Sequence, residues 1–133
     1  MESDKNKFSN EKFNVFVRYI MRIAIDKRCV MYSELEDMIG LDKSQVIMYS
    51  KKLIDYCIYC RMPFLNSLIL GSSTCEPIDG FSWYETHCKK SWGEVISECW
   101  ASFHMSVDKS NYCEANWRDK NIANFLAESN NSL

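Results

Sequence analysis

The chain has 133 residues, 47% of them hydrophobic and 26% charged, with a formal net charge of −2. That length is enough for one compact domain with a real core, and the composition excludes a disordered chain. The small negative charge excludes a global electrostatic pull towards nucleic acid or anionic membrane. Charge is nevertheless uneven: residues 1–70 hold 11 Lys/Arg against 9 Asp/Glu, and residues 71–133 hold 5 against 9. The opening "MESDKNKFSNEK" is polar, without the apolar stretch of a signal peptide, and no run approaches the ~20 apolar residues of a membrane span. The expected compartment is the cytoplasm, with no membrane contact. The seven cysteines (Cys29, Cys57, Cys60, Cys75, Cys88, Cys99 and Cys113) are odd in number, which points to free thiols and not to a disulfide frame.

In chain order, Phe13, Phe16, Val17, Ile20 and Ala24 recur at three- and four-residue steps, the stripe of an amphipathic helix over 10–26 capped by Ser9 or Asn10. Val15, Tyr19 and Ile23 lie off that stripe, which suggests burial on more than one side. The stretch "CVMY" is short and β-prone. Ser33 and Glu36 have capping-box spacing and open a short helix over 34–39, ended by Gly40. Asp42 or Ser44 caps a longer helix to Cys60, and Pro63 forbids its continuation. The spacing gives that third helix an inner face of Val46, Ser50, Leu53, Ile54, Cys57 and Cys60. The opposite face carries Ser44, Met48, Lys51, Lys52, Asp55 and Tyr59.

A short helix and a long one joined through glycine form a helix-turn-helix arrangement. Leu65, Leu68 and Leu70 then read as one arm of a β-hairpin, "GSSTCEPIDG" as its turn and "FSWY" as the returning arm. A hairpin in that place is a wing. Ser91 and Glu94 repeat the capping-box spacing and open a helix with Trp92, Val95, Ile96, Cys99, Trp100 and Phe103 inward. A last helix over 112–127 carries Trp117, Phe125 and Leu126, and "ESNNSL" should fray. The expected fold is mostly α with a small β-hairpin. Residues 10–84 form a winged helix-turn-helix-like unit and residues 85–128 a C-terminal helical part, within a single domain.

The pieces "MYSELEDMIGL", "LIDYC", "MPFLNSLIL", "CEPIDGF" and "SWGEVISECW" follow one another from Tyr32 to Phe103. Their order resembles a small winged-helix-like module of uncharacterised bacterial and mobile-element proteins. The turn departs from it, since "SSTCEPIDG" lacks the module's basic residue and second glycine. The resemblance implies a winged fold and a mobile-element setting, and it hands over no catalytic residue.

Cys57 and Cys60 have C-x-x-C spacing, and His87 with Cys88 could complete a zinc site. Both cysteines are in phase with Leu53, however, so they read as core and no metal is expected. His87 and Cys88 are neighbours in a connector, and adjacency does not aim a base at a nucleophile. His104 reads as a helix-edge residue. With no phosphate-binding glycine loop and no metalloprotease motif, no enzymatic activity and no cofactor are expected. Trp92, Trp100 and Trp117 stand among Glu94, Glu98, Glu114 and Asp119, a setting for core or protein contact and not for base stacking.

The leading expectation is therefore a protein-binding module, a small phage or mobile-element regulator or inhibitor of a host protein. Glu76, Asp79 and Tyr84 are its expected contact residues, and an acidic wing would suit a partner with a basic nucleic-acid-binding surface. The alternative is a winged-helix DNA-binding protein reading through Lys43, Ser44, Met48, Lys51 and Lys52, with help from Lys27 and Arg28. Against it, the wing offers Glu76 and Asp79 and no base.

Overall fold

The computed structural model describes residues 8–103 and 119–131; His104, Cys113, Glu114 and Trp117 lie outside them. Helix α1 spans Asn10–Ile25, and the Ser9 hydroxyl caps it by accepting from the Lys12 amide at 3.3 Å. The expected stripe of Phe13, Phe16, Val17, Ile20 and Ala24 is buried, and Met21 and Ile23 widen it. Val15 is left 51% exposed, so the burial on a second side comes from Ile23 and not from Val15.

Strand β1, Val30–Met31, leads directly into α2, Tyr32–Ile39. The capping box expected at Ser33 is not formed, because the helix starts two residues earlier, with Met31 at its N-cap and no side-chain bond there. Ser33 instead bonds across the fold: its amide donates to the Ser72 hydroxyl at 3.2 Å, and that hydroxyl donates to the Ser33 oxygen at 2.8 Å. Gly40 closes α2 in the left-handed conformation at φ 77°.

Helix α3 spans Lys43–Cys60. Asp42 accepts from the Gln45 amide at 2.9 Å while the Gln45 side chain accepts from the Asp42 amide at 3.0 Å, a reciprocal cap. Arg61, left-handed at φ 56°, turns the chain away before Pro63. The buried face is Gln45, Val46, Tyr49, Ser50, Leu53, Tyr56 and Cys57. Relative to the expected face it is rotated towards the tyrosines, leaving Ile54 and Cys60 half-buried.

The hairpin expected over 65–84 is a correction. Leu65–Leu68 is a 3-10 turn, and strand β2, Ile69–Leu70, pairs with β1 in parallel, Val30 opposite Ile69 and Met31 opposite Leu70. The two polar residues between the leucines of "LNSL" are not turned to solvent, since Asn66 and Ser67 are fully buried. The 3-10 spacing instead stacks Leu65 over Leu68 on one face. Loop 71–80 folds back through a single antiparallel bridge, Leu70 to Pro77. The returning arm is helical: Gly80, at φ 83°, starts α4, Phe81–His87. His87 and Cys88 are thus a helix end and its cap, where a connector was expected.

Helix α5, Trp92–Ser102, carries the expected Ser91–Glu94 capping box. Helix α6, Asp119–Asn131, extends into the stretch expected to fray, whose last two residues lie outside the described ones. The 3-10 turn sits at the centre, packed against α1, α3 and α5, and α6 closes onto α1 and α3. Phe13, Phe16, Tyr49, Tyr56 and Phe125 form a continuous ring cluster, with Phe13 and Tyr56 edge-on at 6.4 Å and Tyr56 and Phe125 at 5.1 Å. Each such buried ring contributes about 1.5–3 kcal/mol by burial alone, so this cluster dominates the cohesion of α1, α3 and α6.

Candidate docking face on the third helix

With its inner face rotated towards the tyrosines, α3 turns Lys43, Ser44, Ile47, Lys51 and Asp55 outward, with Met48 and Lys52 half-buried at the edge. Two concavities flank this face. One, of about 310 Å3, lies between the start of α3 and loop 71–80 and is lined by Tyr32, Lys43, Val46, Ile47, Pro77 and Ile78, with Glu76 at its rim. The other, of about 570 Å3, is lined by Phe8, Ser44, Ile47, Met48, Lys51, Lys52 and Asp55. Ile47 lines both and is 40% exposed.

All five residues of the alternative site lie on the outward half of α3, Lys43 at one edge and Lys52, half a turn away, at the other. The Lys43 amine lies 5.4 Å from the Tyr32 ring centre and the Lys52 amine 5.3 Å from that of Phe125, cation–π placements that hold both side chains against the protein. Ser44 donates to the Asp42 carboxylate at 2.8 Å, so its hydroxyl hydrogen serves the helix cap. Lys43, Lys51 and Lys52 make no ion pair among the described residues; the pairs formed there are Arg22 with Asp26, Arg28 with Glu34, and Lys90 with Glu98. Lys27 lines neither concavity, its amine donating to the Trp100 carbonyl at 2.9 Å.

The expected contact set on the wing is dispersed. Glu76 is exposed, but Tyr84 is fully buried and is no surface residue. Its hydroxyl donates to the Asp79 carboxylate at 3.1 Å, and the Asn66 amide donates to the same carboxylate oxygen at 2.8 Å. Burial and the neighbouring Asp79 charge push the Tyr84 phenol well above its ordinary range. Of the two carboxylates of loop 71–80, Glu76 is exposed and Asp79 is tied to Tyr84 and Asn66.

Cys57 and Cys99 are thiols of the core. Cys57 is fully buried and accepts from the Leu65 amide at 3.4 Å, and burial pushes its thiol well up. Burial raises the Cys99 thiol to about 12 despite its contact with Ser67. A raised thiol holds little thiolate, the reactive form. Cys60, half-buried, accepts from Asn121 at 3.3 Å. His87 stacks on Trp83 with ring centres 4.7 Å apart, and its Nδ1 lies 3.0 Å from the Trp83 carbonyl. Among the described residues no three His, Cys, Asp or Glu side chains are grouped to hold a metal ion. No helix among them is long and apolar enough to cross a membrane.

Sequence reasoning missed Ile47 and Phe8. Ile47 follows Val46 by one position, four residues before Lys51, so helical phase already sets it among the polar residues. No family model, curated protein or solved structure matches the chain.

Proposed function

We propose that this chain is a non-enzymatic protein-binding module that docks its partner on the outer face of α3. One observation carries the reading: an exposed aliphatic residue, Ile47, stands between two concavities, with Met48 and Phe8 beside it and polar residues around them. An apolar centre inside a polar rim is the anatomy of a protein contact. In this reading α1, α2 and α3 serve as the helix-turn-helix frame of a winged-helix-like unit, with loop 71–80 in the position of the wing. The order of motifs from Tyr32 to Phe103 supports a mobile-element regulator or inhibitor as its setting.

DNA binding through the same face is the second reading, favoured by three lysines that make no ion pair among the described residues. Against it stand the apolar centre of the face and a loop 71–80 that carries Glu76 and no base. The two separate in a binding titration with labelled mixed-sequence duplex at low salt. The protein reading expects no tight, salt-sensitive complex. A complex of that kind, abolished by Lys51→Glu with Lys52→Glu, would establish DNA as the ligand instead.

A further inference from the structure

The lysines of this face define what should lie opposite them. Lys43, Lys51 and Lys52 approach no carboxylate to ion-pair distance among the described residues, whereas Arg22, Arg28 and Lys90 each do. Two of the three are held in place beforehand, Lys43 on Tyr32 and Lys52 on Phe125. Ordering these flexible side chains in the free protein lowers the entropy lost on binding. Lys43 and Lys52 lie nine positions apart on one helix, about 14 Å along its axis at ~1.5 Å per residue. Ile47 and Met48 fall between them, beside concavities of about 310 and 570 Å3. The two carboxylates of the lining, Glu76 and Asp55, belong to opposite concavities.

We propose that the α3 face binds an acidic amphipathic helix of a partner protein, seating its apolar residues on either side of Ile47 and its carboxylates against Lys43 and the Lys51–Lys52 pair. This rests on the docking reading given above. A helix lying in a groove presents anchors at three- and four-residue steps, and these can reach both concavities across Ile47. Carboxylates about two and a half turns apart on the incoming helix match the separation of Lys43 and Lys52. The positive face also opposes the earlier expectation of a basic partner, because like charges set against each other repel.

The test is a display selection of random peptides of about 16 residues, long enough for a helix that spans the face, against the full chain. Enriched peptides are then titrated individually. The proposal expects enriched sequences to be net acidic, with apolar residues at helical spacing. Their affinity should fall about tenfold or more on Lys51→Glu with Lys52→Glu and should weaken as salt rises. If Lys52→Glu disturbs the contact with Phe125 and the double variant unfolds, Lys51→Glu alone carries the measurement, since Lys51 is exposed. Enriched peptides that are neutral or basic, or no enrichment at all, would overturn the proposal. Ile47→Asp separates the two levels of the account. Peptides lost on Ile47→Asp but indifferent to the lysine reversals leave the docking face standing and remove the acidic partner. Peptides indifferent to Ile47→Asp remove both.

Discussion

Tyr84 donates its hydroxyl hydrogen to the carboxylate of Asp79 across 3.1 Å, which makes two residues with the look of a contact surface into a tether between loop 71–80 and the core. Asn66 completes it from the 3-10 turn at 2.8 Å. Tyr84→Phe keeps the ring and removes the donor. It should lower stability by about 1.5–3 kcal/mol, the range for a hydrogen bond to a charged group, without changing partner affinity. Urea unfolding measures the first effect, and a midpoint equal to that of the parent chain would refute the tether.

Gly40 sits at φ 77° between α2 and α3, and a Cβ built there meets no atom within 4 Å. Gly40→Ala therefore isolates the cost of the left-handed backbone from any clash. The expected loss is about 1 kcal/mol, read as a lowered denaturation midpoint with unchanged helix content. An unchanged midpoint would mean that the α2–α3 junction does not need glycine.

Cys99 contributes to the alkaline limit of stability. Its thiol is raised by burial from an ordinary 9.0 to about 12 in the folded chain. The unfolded thiol loses its proton first, so between those values the folded state holds more protons, and stability falls as pH rises. The contribution is complete below pH 9, declines above it and is lost through pH 12. Cys99→Ala should flatten the decline in a series of melts above pH 9, whereas a decline of equal slope would assign it elsewhere. Cys57, also pushed up by burial, acts in the same direction, as do Tyr56 and Tyr84 at higher pH.

Phe125 joins α6 to the rest of the molecule through Phe13, Tyr56 and Tyr59, and it carries the Lys52 amine on its face. Phe125→Ala should cost about 3 kcal/mol or more, as for other buried aromatics. It should also weaken partner binding, because Lys52 loses the surface that positions it. Loss of stability with unaltered binding would show that Lys52 needs no support from the ring.

Much of this was legible in the sequence. The stripe of α1, the Gly40 stop, the Asp42 start of α3 and the Ser91–Glu94 box each rest on local hydrogen bonding or helical phase, which a short window contains. The course of segment 65–84 was not legible, because it is decided by distant partners. Asn66 is polar yet fully buried, held by Asp79 and Tyr84. Ser33 has the spacing of a cap, yet its bonds go to Ser72, 39 residues away. β2 finds β1 across the whole of α2 and α3. Ser44, Met48, Lys51 and Lys52 of the alternative site were found by phase and Lys43 by its place at the helix start, but neither reports that Tyr32 and Phe125 arrive beneath two of the lysines.

The central claim is that a protein, and not nucleic acid, meets the outer face of α3. A photoreactive side chain placed at position 47 of the full chain tests it most directly, with the same group at the exposed position 82 on α4 as control. Irradiation of cells that make the chain should yield an adduct from position 47 that protease removes and nuclease leaves intact, and position 82 should yield none of it. A nuclease-sensitive adduct at position 47, or equal labelling from both positions, would contradict the account.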